Sequence, residues 1–233
     1  MDEFKITEDM ISPLLDTRFV KVFDIRYEEG KHYYDATRHE KEDLTCLKSG
    51  GEVREMTADA VSCFVITVSS DGEAKMLFNY EYRYPCGQYL LSVPAGLRDR
   101  EDGEGEKGLL LAAAREIREE TGIDIGPEDS LTLVNPAVFS TPGLTDESNA
   151  LVCAVVRMDG TGRLSQKGAE GSEKFDGFFL ADLETARRLL FTGRDERGMF
   201  YSTYTWMALC WFVSGLWKEF PASGDGSASL ERY

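Results

Sequence analysis

Arg115-Glu116-Ile117-Arg118-Glu119-Glu120-Thr121-Gly122-Ile123 is the stretch that decides how this chain is read. On a helix, Glu116, Glu119 and Glu120 stand at i, i+3 and i+4 and share one face. Three carboxylates crowded there repel one another unless a cation neutralises them. Mg²⁺ or Mn²⁺ would serve, because both select hard oxygen ligands. Gly122 follows directly, where a helix end commonly needs a left-handed residue. Upstream, Pro94-Ala95-Gly96-Leu97 reads as a tight loop that can bring backbone carbonyls to the same ion. The bland alternative is a solvated face rich in Glu and Arg. The Gly-Ile terminus and the Pro-Ala-Gly loop weigh against it and favour a metal–diphosphate site.

Working outward, 233 residues suit one domain with an N-terminal extension, and 42% hydrophobic against 29% charged residues is ordinary for a globular protein. The net charge of −16 argues against nucleic-acid binding, which runs on Lys and Arg at phosphates. An anionic substrate must therefore be drawn in by local cations. Cysteines 46, 63, 86, 153 and 210 are scattered and form no CxxC pair, so free thiols in a reducing cytoplasm are expected. The first residues carry no basic segment followed by an apolar core, so no secretory signal is read there. Thr203 to Trp217 is strongly apolar but shorter than the roughly 20 residues a membrane span needs. It reads as a buried terminal helix, with Trp206, Leu209, Cys210, Val213, Leu216 and Trp217 at helical spacing. Its other side (Met207, Ala208, Trp211, Phe212) is apolar too and leaves room for a subunit contact.

Along the chain, residues 7–15 look like a short helix capped by Thr7 and limited by Pro13. Strands are expected at Arg18–Tyr27 and His32–Arg38 around a Glu-Glu-Gly-Lys turn, and 40–58 reads as a polar connection. Further strands fall at 61–68, 75–82, 89–93, 131–139, 149–158 and 175–180. Helices are expected at 108–121, 182–191 and 204–220, and the tail from 222 is small and polar. Mixed strands with a central helix and terminal helices indicate an α+β class, built as an α/β/α sandwich.

Arg115 to Ile123, taken with Gly96, resembles the Nudix box of hydrolases that cleave a nucleoside diphosphate linked to another group. Counting back from Arg115, the first box Glu falls on Lys107, with Glu106 one place off. The stretch from Gly96 is about five residues longer than the family spacing. Asp99–Gly105 reads as an acidic, flexible insertion that takes up the extra length. Glu81-Tyr82-Arg83-Tyr84-Pro85, Pro94–Leu97 and Thr141–Glu147 are similar, in order, to segments of ADP-ribose pyrophosphatases within that family.

The resemblance implies a Nudix-type sandwich with a mixed sheet. Residues 1–57 would be a dimer-forming N-terminal β extension, 58–221 the hydrolase domain and 222–233 a flexible tail. It implies Mg²⁺, with Mn²⁺ also suitable, held by Glu116, Glu119, Glu120 and the Ala95 carbonyl, while Arg115 steadies loop and glutamates. Arg83 would contact substrate phosphate, or be a surface strand Arg in a salt bridge. Gly96 belongs to the same substrate loop. Pro142 and Gly143 would border the terminal ribose, or simply form a hairpin turn. Alongside Glu120, the catalytic set takes Glu173 or Glu170 as base, from the loop before the last strand, with Glu173 preferred as nearer the strand. His32 and His39 receive no catalytic role. The implied reaction is hydrolysis of ADP-ribose to AMP and ribose 5-phosphate by a cytoplasmic homodimer. Another nucleotide sugar such as UDP-glucose or GDP-mannose, or binding without turnover, stays open. The partner is a small nucleotide diphosphate, with neither nucleic acid nor membrane.

Overall fold

A computed structural model describes residues 4–168 and 173–219 of the chain; the tail assigned to 222–233 lies outside the described residues. Ile11–Asp16 (β1), Lys21–Glu28 (β2) and Lys31–Thr37 (β3) form an antiparallel sheet in that order. The helix expected over 7–15 is corrected by this sheet. Only Glu8–Met10 turns, as a 3-10 element, and the rest is strand. Ile11 pairs with Ile25 and is buried with Phe23 and Leu44, so partner pairing overrides the local helix signal. Pro13 has no N–H to give, and it sits on an edge strand beside an irregularity in register. The connection over 40–58 is more structured than expected. It holds two 3-10 turns and a six-residue helix, Gly50–Glu55 (α1). Ser49 and Glu52 close a reciprocal capping box at its start.

The remaining elements are Ala60–Val68 (β4), Ala74–Arg83 (β5), Gln88–Ser92 (β6), Ala95–Leu97 (β7), Gly105–Thr121 (α2), Ser130–Phe139 (β8), Ser148–Arg157 (β9), Phe175–Ala181 (β10), Leu183–Thr192 (α3) and Thr203–Ser214 (α4). The second sheet runs β10-β5-β4-β9-β8, with β6 on β5 and β7 on β4. β4 and β9 are parallel and the other pairs antiparallel, giving a mixed sheet. Every residue of β4 is buried, as expected of a strand covered on both faces. Phe64 and Ile66 face Ala186, Leu189, Ala208, Leu209 and Phe212 of α3 and α4. Val61, Cys63 and Val65 face Leu109, Ala112, Ala113 and Ile117 of α2. This is the expected α/β/α sandwich. Phe64, 1% exposed, anchors one layer, and truncating such a side chain to Ala costs about 3–5 kcal/mol.

α4 differs from expectation in phase and length. Its buried residues are Thr205, Ala208, Leu209 and Phe212, whereas Trp206 is 50% exposed. A helix apolar all round gives the sequence no face to choose. It ends at Ser214 because Gly215 adopts φ +77°, the left-handed stop. No helix among the described residues is long and apolar enough to cross a membrane.

One topological feature positions the site. β4 pairs with β7 along Ala60–Ser62 and with β5 along Ile66–Val68. β5 in turn leaves β4 and pairs with β6 from Asn79 onward. The sheet therefore splits, and α2 lies against the split.

Candidate active site

The split is filled by carboxylates. Glu120 is 2% exposed; its Oε2 accepts from Asn79 Nδ2 at 2.5 Å and its Oε1 from the Ala95 N–H at 3.2 Å. Neither donor is a cation. Burial pushes its pKa well up, and the charges of Glu81, Glu116 and Glu173 push it further. Glu116, 5% exposed, is raised to about 7, mainly by burial against the pull of Arg115, with Glu119 and Glu173 adding repulsion. Glu81, buried on β5, is raised by the same desolvation. Arg83 grips it at 2.7 Å, its own side chain 43% exposed at the rim.

Arg115 organises the other side. It donates to Glu116 at 2.7 Å, to Glu119 at 3.3 Å, to the Leu97 carbonyl at 2.9 Å and to Asp102 at 3.0 Å. It holds loop and glutamates together, as expected. Asp102 is the unforeseen member. The expected first box Glu at 106 or 107 is replaced: Glu106 and Lys107 are exposed on the first turn of α2. Skipping five residues after Gly96, instead of counting back from Arg115, lands on Asp102. The extra length therefore lies between Asp102 and Arg115. It is ordered rather than flexible: Asp99 and Asp102 form a capping box, Gly105 N–H donates to Thr57 at 2.8 Å, and α2 begins at Gly105.

Gly96 has a steric duty here. A Cβ on it would stand 2.1 Å from Glu116 Oε1, so only glycine lets the carboxylate lie against the strand. Ala95 meets the cluster through its N–H. Glu173 acts electrostatically on Glu81, Glu116 and Glu120. Its neighbour Lys174 is tied by its carbonyl to the Tyr82 N–H at 2.8 Å. The loop leading to it packs on the end of α2, where Ser165 N–H bonds the Thr121 carbonyl at 2.8 Å. Gly168 lies so close to the Glu119 backbone that a Cβ would come within 2.6 Å of its carbonyl oxygen. Gln166 reaches Asn79 at 3.4 Å and the Gly177 backbone at 3.2 and 3.0 Å. Glu170 lies outside the described residues.

The structure thus brings Glu116, Glu119, Glu120, Ala95, Gly96, Arg83 and Glu173 together. Pro142 and Gly143 belong to a different seam, where the Gly143 carbonyl accepts from Tyr33 Oη at 3.2 Å. Sequence reasoning missed Asn79, Glu81, Asp102 and Gln166. Glu81 opens the Glu81–Pro85 segment, yet only Arg83 was given a role in it, while Asn79 and Gln166 carry no local signal.

Among the described residues, no group of three His, Cys, Asp or Glu is disposed to hold an ion as it stands; Arg115 draws Glu116 and Glu119 to itself. The donor set nevertheless fits Mg²⁺ or Mn²⁺, being all oxygen, anionic, buried and short of positive charge beside Glu120.

No family model matches the chain. A Caenorhabditis elegans protein named as a nudix hydrolase is 40% identical over 106 residues, covering 46% of this chain and 43% of that one. The ADP-sugar pyrophosphatase of Mus musculus is 30% identical over 142 residues, covering 61% of this chain and 59% of the mouse protein. The chain spans about half the length of these curated relatives. The crystal structure of an ADP compounds hydrolase superposes over 91% of this chain and 96% of its own, with a TM-score of 0.52 at 17% identity, and so shares the fold.

Proposed function

We propose, from the premise that this chain is a relative of the Nudix hydrolases, that it hydrolyses the diphosphate bond of ADP-ribose or a closely related ADP-sugar. The products are AMP and the sugar phosphate. The observation that carries this reading is the buried cluster of Glu81, Glu116 and Glu120, raised in pKa and faced by Glu173. Such a cluster must take up protons or cations, and divalent ions bound together with a diphosphate would supply the cations.

Glu116, Glu119 and Glu120 would hold Mg²⁺, or Mn²⁺, with the Ala95 backbone beside them. Bound metal would supply charge neutralisation at the diphosphate oxygens and a more acidic water. Arg83 at the rim offers its guanidinium to a phosphate oxygen, held in aim by Glu81. Glu173 takes the proton of the attacking water, with Glu170 as the alternative base on the same loop. The water oxygen bonds to one phosphorus as the bridging P–O bond breaks, and the departing phosphate keeps the bridging oxygen. Asp102 and Arg115 fix the loop and helix against each other. Asn79 and Ala95 orient Glu120 through hydrogen bonds that do not cancel its charge.

The N-terminal β extension is taken as the dimer-forming part. Its sheet exposes Leu14, Phe19, Val20, Tyr33 and Tyr34, and a homodimer would cover them. Five cysteines outside any disulfide suit a reducing compartment, and the cytoplasm is the proposed location.

The test is phosphate release in the presence of alkaline phosphatase and Mg²⁺, across ADP-ribose, UDP-glucose and GDP-mannose. Wild type, Glu120→Gln, Glu173→Gln and Glu170→Gln would be compared. ADP-ribose turnover that vanishes in Glu120→Gln supports the reading. A larger loss in Glu173→Gln than in Glu170→Gln identifies the base. Binding of ADP-ribose with no phosphate release would overturn it.

A further inference from the structure

His39 stands where three parts of the chain meet, and the proposed chemistry leaves it unused. Its Nε2 lies 2.8 Å from Asp59 Oδ1, just before β4, and its Nδ1 lies 3.2 Å from Asp146 Oδ2, in the loop leading to β9. A ring with a carboxylate at each nitrogen carries both protons, since neutral imidazole has one N–H only. Its side chain is 22% exposed. Each carboxylate is fixed elsewhere as well. Asp59 Oδ2 accepts from the Ser148 N–H at 2.8 Å and its hydroxyl at 2.7 Å. Asp146 accepts from the Thr37 hydroxyl at 2.6 Å and the Thr45 N–H at 2.9 Å.

Other charged groups surround the ring. Asp35 of β3 accepts from the Asp146 N–H at 3.1 Å. Burial and then Asp146 raise its pKa to about 6, so it is still largely ionised at neutral pH and adds negative charge beside the ring. Arg38 pairs with Glu147 at 2.8 Å. Arg98, next to Leu97, donates its N–H to the Asp59 carbonyl at 2.9 Å. The Cys46 thiol is held up in pKa by burial beside Asp35 and Asp146 and stays neutral. A cavity of about 200 Å³ lies at this junction, with Leu97 among its lining residues. The Leu97 carbonyl is the one that anchors Arg115.

We propose that His39, as an imidazolium, is a positioning residue that fastens the N-terminal sheet of a chain across its own 140–147 loop and onto the start of β4, fixing the wall of the cleft beside Leu97. Two further bonds cross the same seam: Ala36 N–H to the Leu144 carbonyl at 2.9 Å and Tyr33 Oη to the Gly143 carbonyl at 3.2 Å. The hydrogen bond to Asp146, then that to Asp59, raises the His39 pKa from 6.5 to about 10. Its contribution is therefore whole below about pH 6.5 and is lost as pH rises through about 10. The consequence for substrate rests on the function proposed above; the fastening itself does not.

The chain has only two histidines, so ring resonances are readily assigned by NMR. In the wild type, His39 is expected to keep both N–H protons through pH 8.5. Amide hydrogen exchange at Ala36 is expected to accelerate at least tenfold in His39→Ala, while Cys63, bonded to the Pro94 carbonyl in the main sheet, stays protected. KM for ADP-ribose is expected to rise about tenfold with kcat within threefold, and His39→Lys is expected to restore part of it. If His39→Ala does not fold, His39→Gln and the wild-type titration carry the test. A ring titrating near pH 6.5, or unchanged Ala36 exchange, overturns the fastening. Faster exchange with unchanged KM overturns the effect on the cleft. Absence of any turnover defeats the function proposed above and leaves the NMR and exchange readouts to decide this one.

Discussion

Gly96→Ala tests activity and stability together at one contact of the site. The added Cβ would meet Glu116 Oε1 at 2.1 Å and its Cδ at 2.2 Å, where ordinary contact begins near 3.4 Å. The carboxylate must therefore withdraw by about 1.3 Å, and being the end of a flexible side chain it can. Withdrawal breaks its 2.7 Å bond to Arg115. A lost charge-assisted hydrogen bond is worth roughly 1.5–3 kcal/mol. Glu116 is only about half ionised near pH 7, which leaves a net cost of about 1–2 kcal/mol. For a chain of this length that is about 2–8 °C in Tm. Activity should suffer more, because moving a proposed metal ligand by about 1 Å is expected to cost on the order of 100-fold. The assay is coupled phosphate release from ADP-ribose beside a thermal melt of the same preparation. Wild-type kcat/KM together with an unchanged Tm would refute the packing of Glu116 on Gly96.

Other changes test the remaining parts of the site. Asp102→Asn removes the ion pair holding Arg115 and should lower kcat/KM about tenfold and Tm by a few degrees, whereas Glu106→Gln should change neither; equal effects would return the supporting role to the position found by counting back from Arg115. Glu120→Gln keeps the shape and discards a buried charge, so without metal it should be at least as stable as wild type at pH 8 while losing activity at least 100-fold, checked by melts and coupled assay. The Glu116 pKa is raised, so its effect on stability is most favourable below about pH 4.5 and declines as pH rises through about 7. If the site holds Mg²⁺ as proposed, binding must expel that proton, so Mg²⁺ affinity should rise about fivefold from pH 6 to 7; calorimetric titrations giving a flat profile would contradict this.

The site helix was legible because two independent patterns coincide on it. Leu109, Ala112, Ala113 and Ile117 bury one side, and the glutamates follow at the next. β4 was legible because a run of β-branched and aromatic residues has few other options. What failed did so where tertiary partners decide. Thr7-Glu8-Asp9 looks like a helix start, yet pairing of Ile11 with Ile25 makes Ile11–Asp16 a strand. α4 is apolar on every side, so nothing local says that Ala208 and Phe212 go in while Trp206 stays out. Asp102 was readable only from the glycine end of the motif. Asn79 and Gln166 acquire their roles solely because β5 brings Asn79 to Glu120 and the 165–168 loop brings Gln166 to Asn79.

The five extra residues between Asp102 and Arg115 enter where α2 begins, and the helix absorbs them by growing at that end. Its other end is pinned by Gly122 at φ +73° and by Ser165 on the Thr121 carbonyl. Length can thus change at Glu104–Lys107 without rotating or sliding the glutamates, since phase is set from the far end. The protein has an expansion joint on one side of its chemistry. Descendants of this sequence can lengthen or shorten there, or graft a new element, while the reacting groups hold their register.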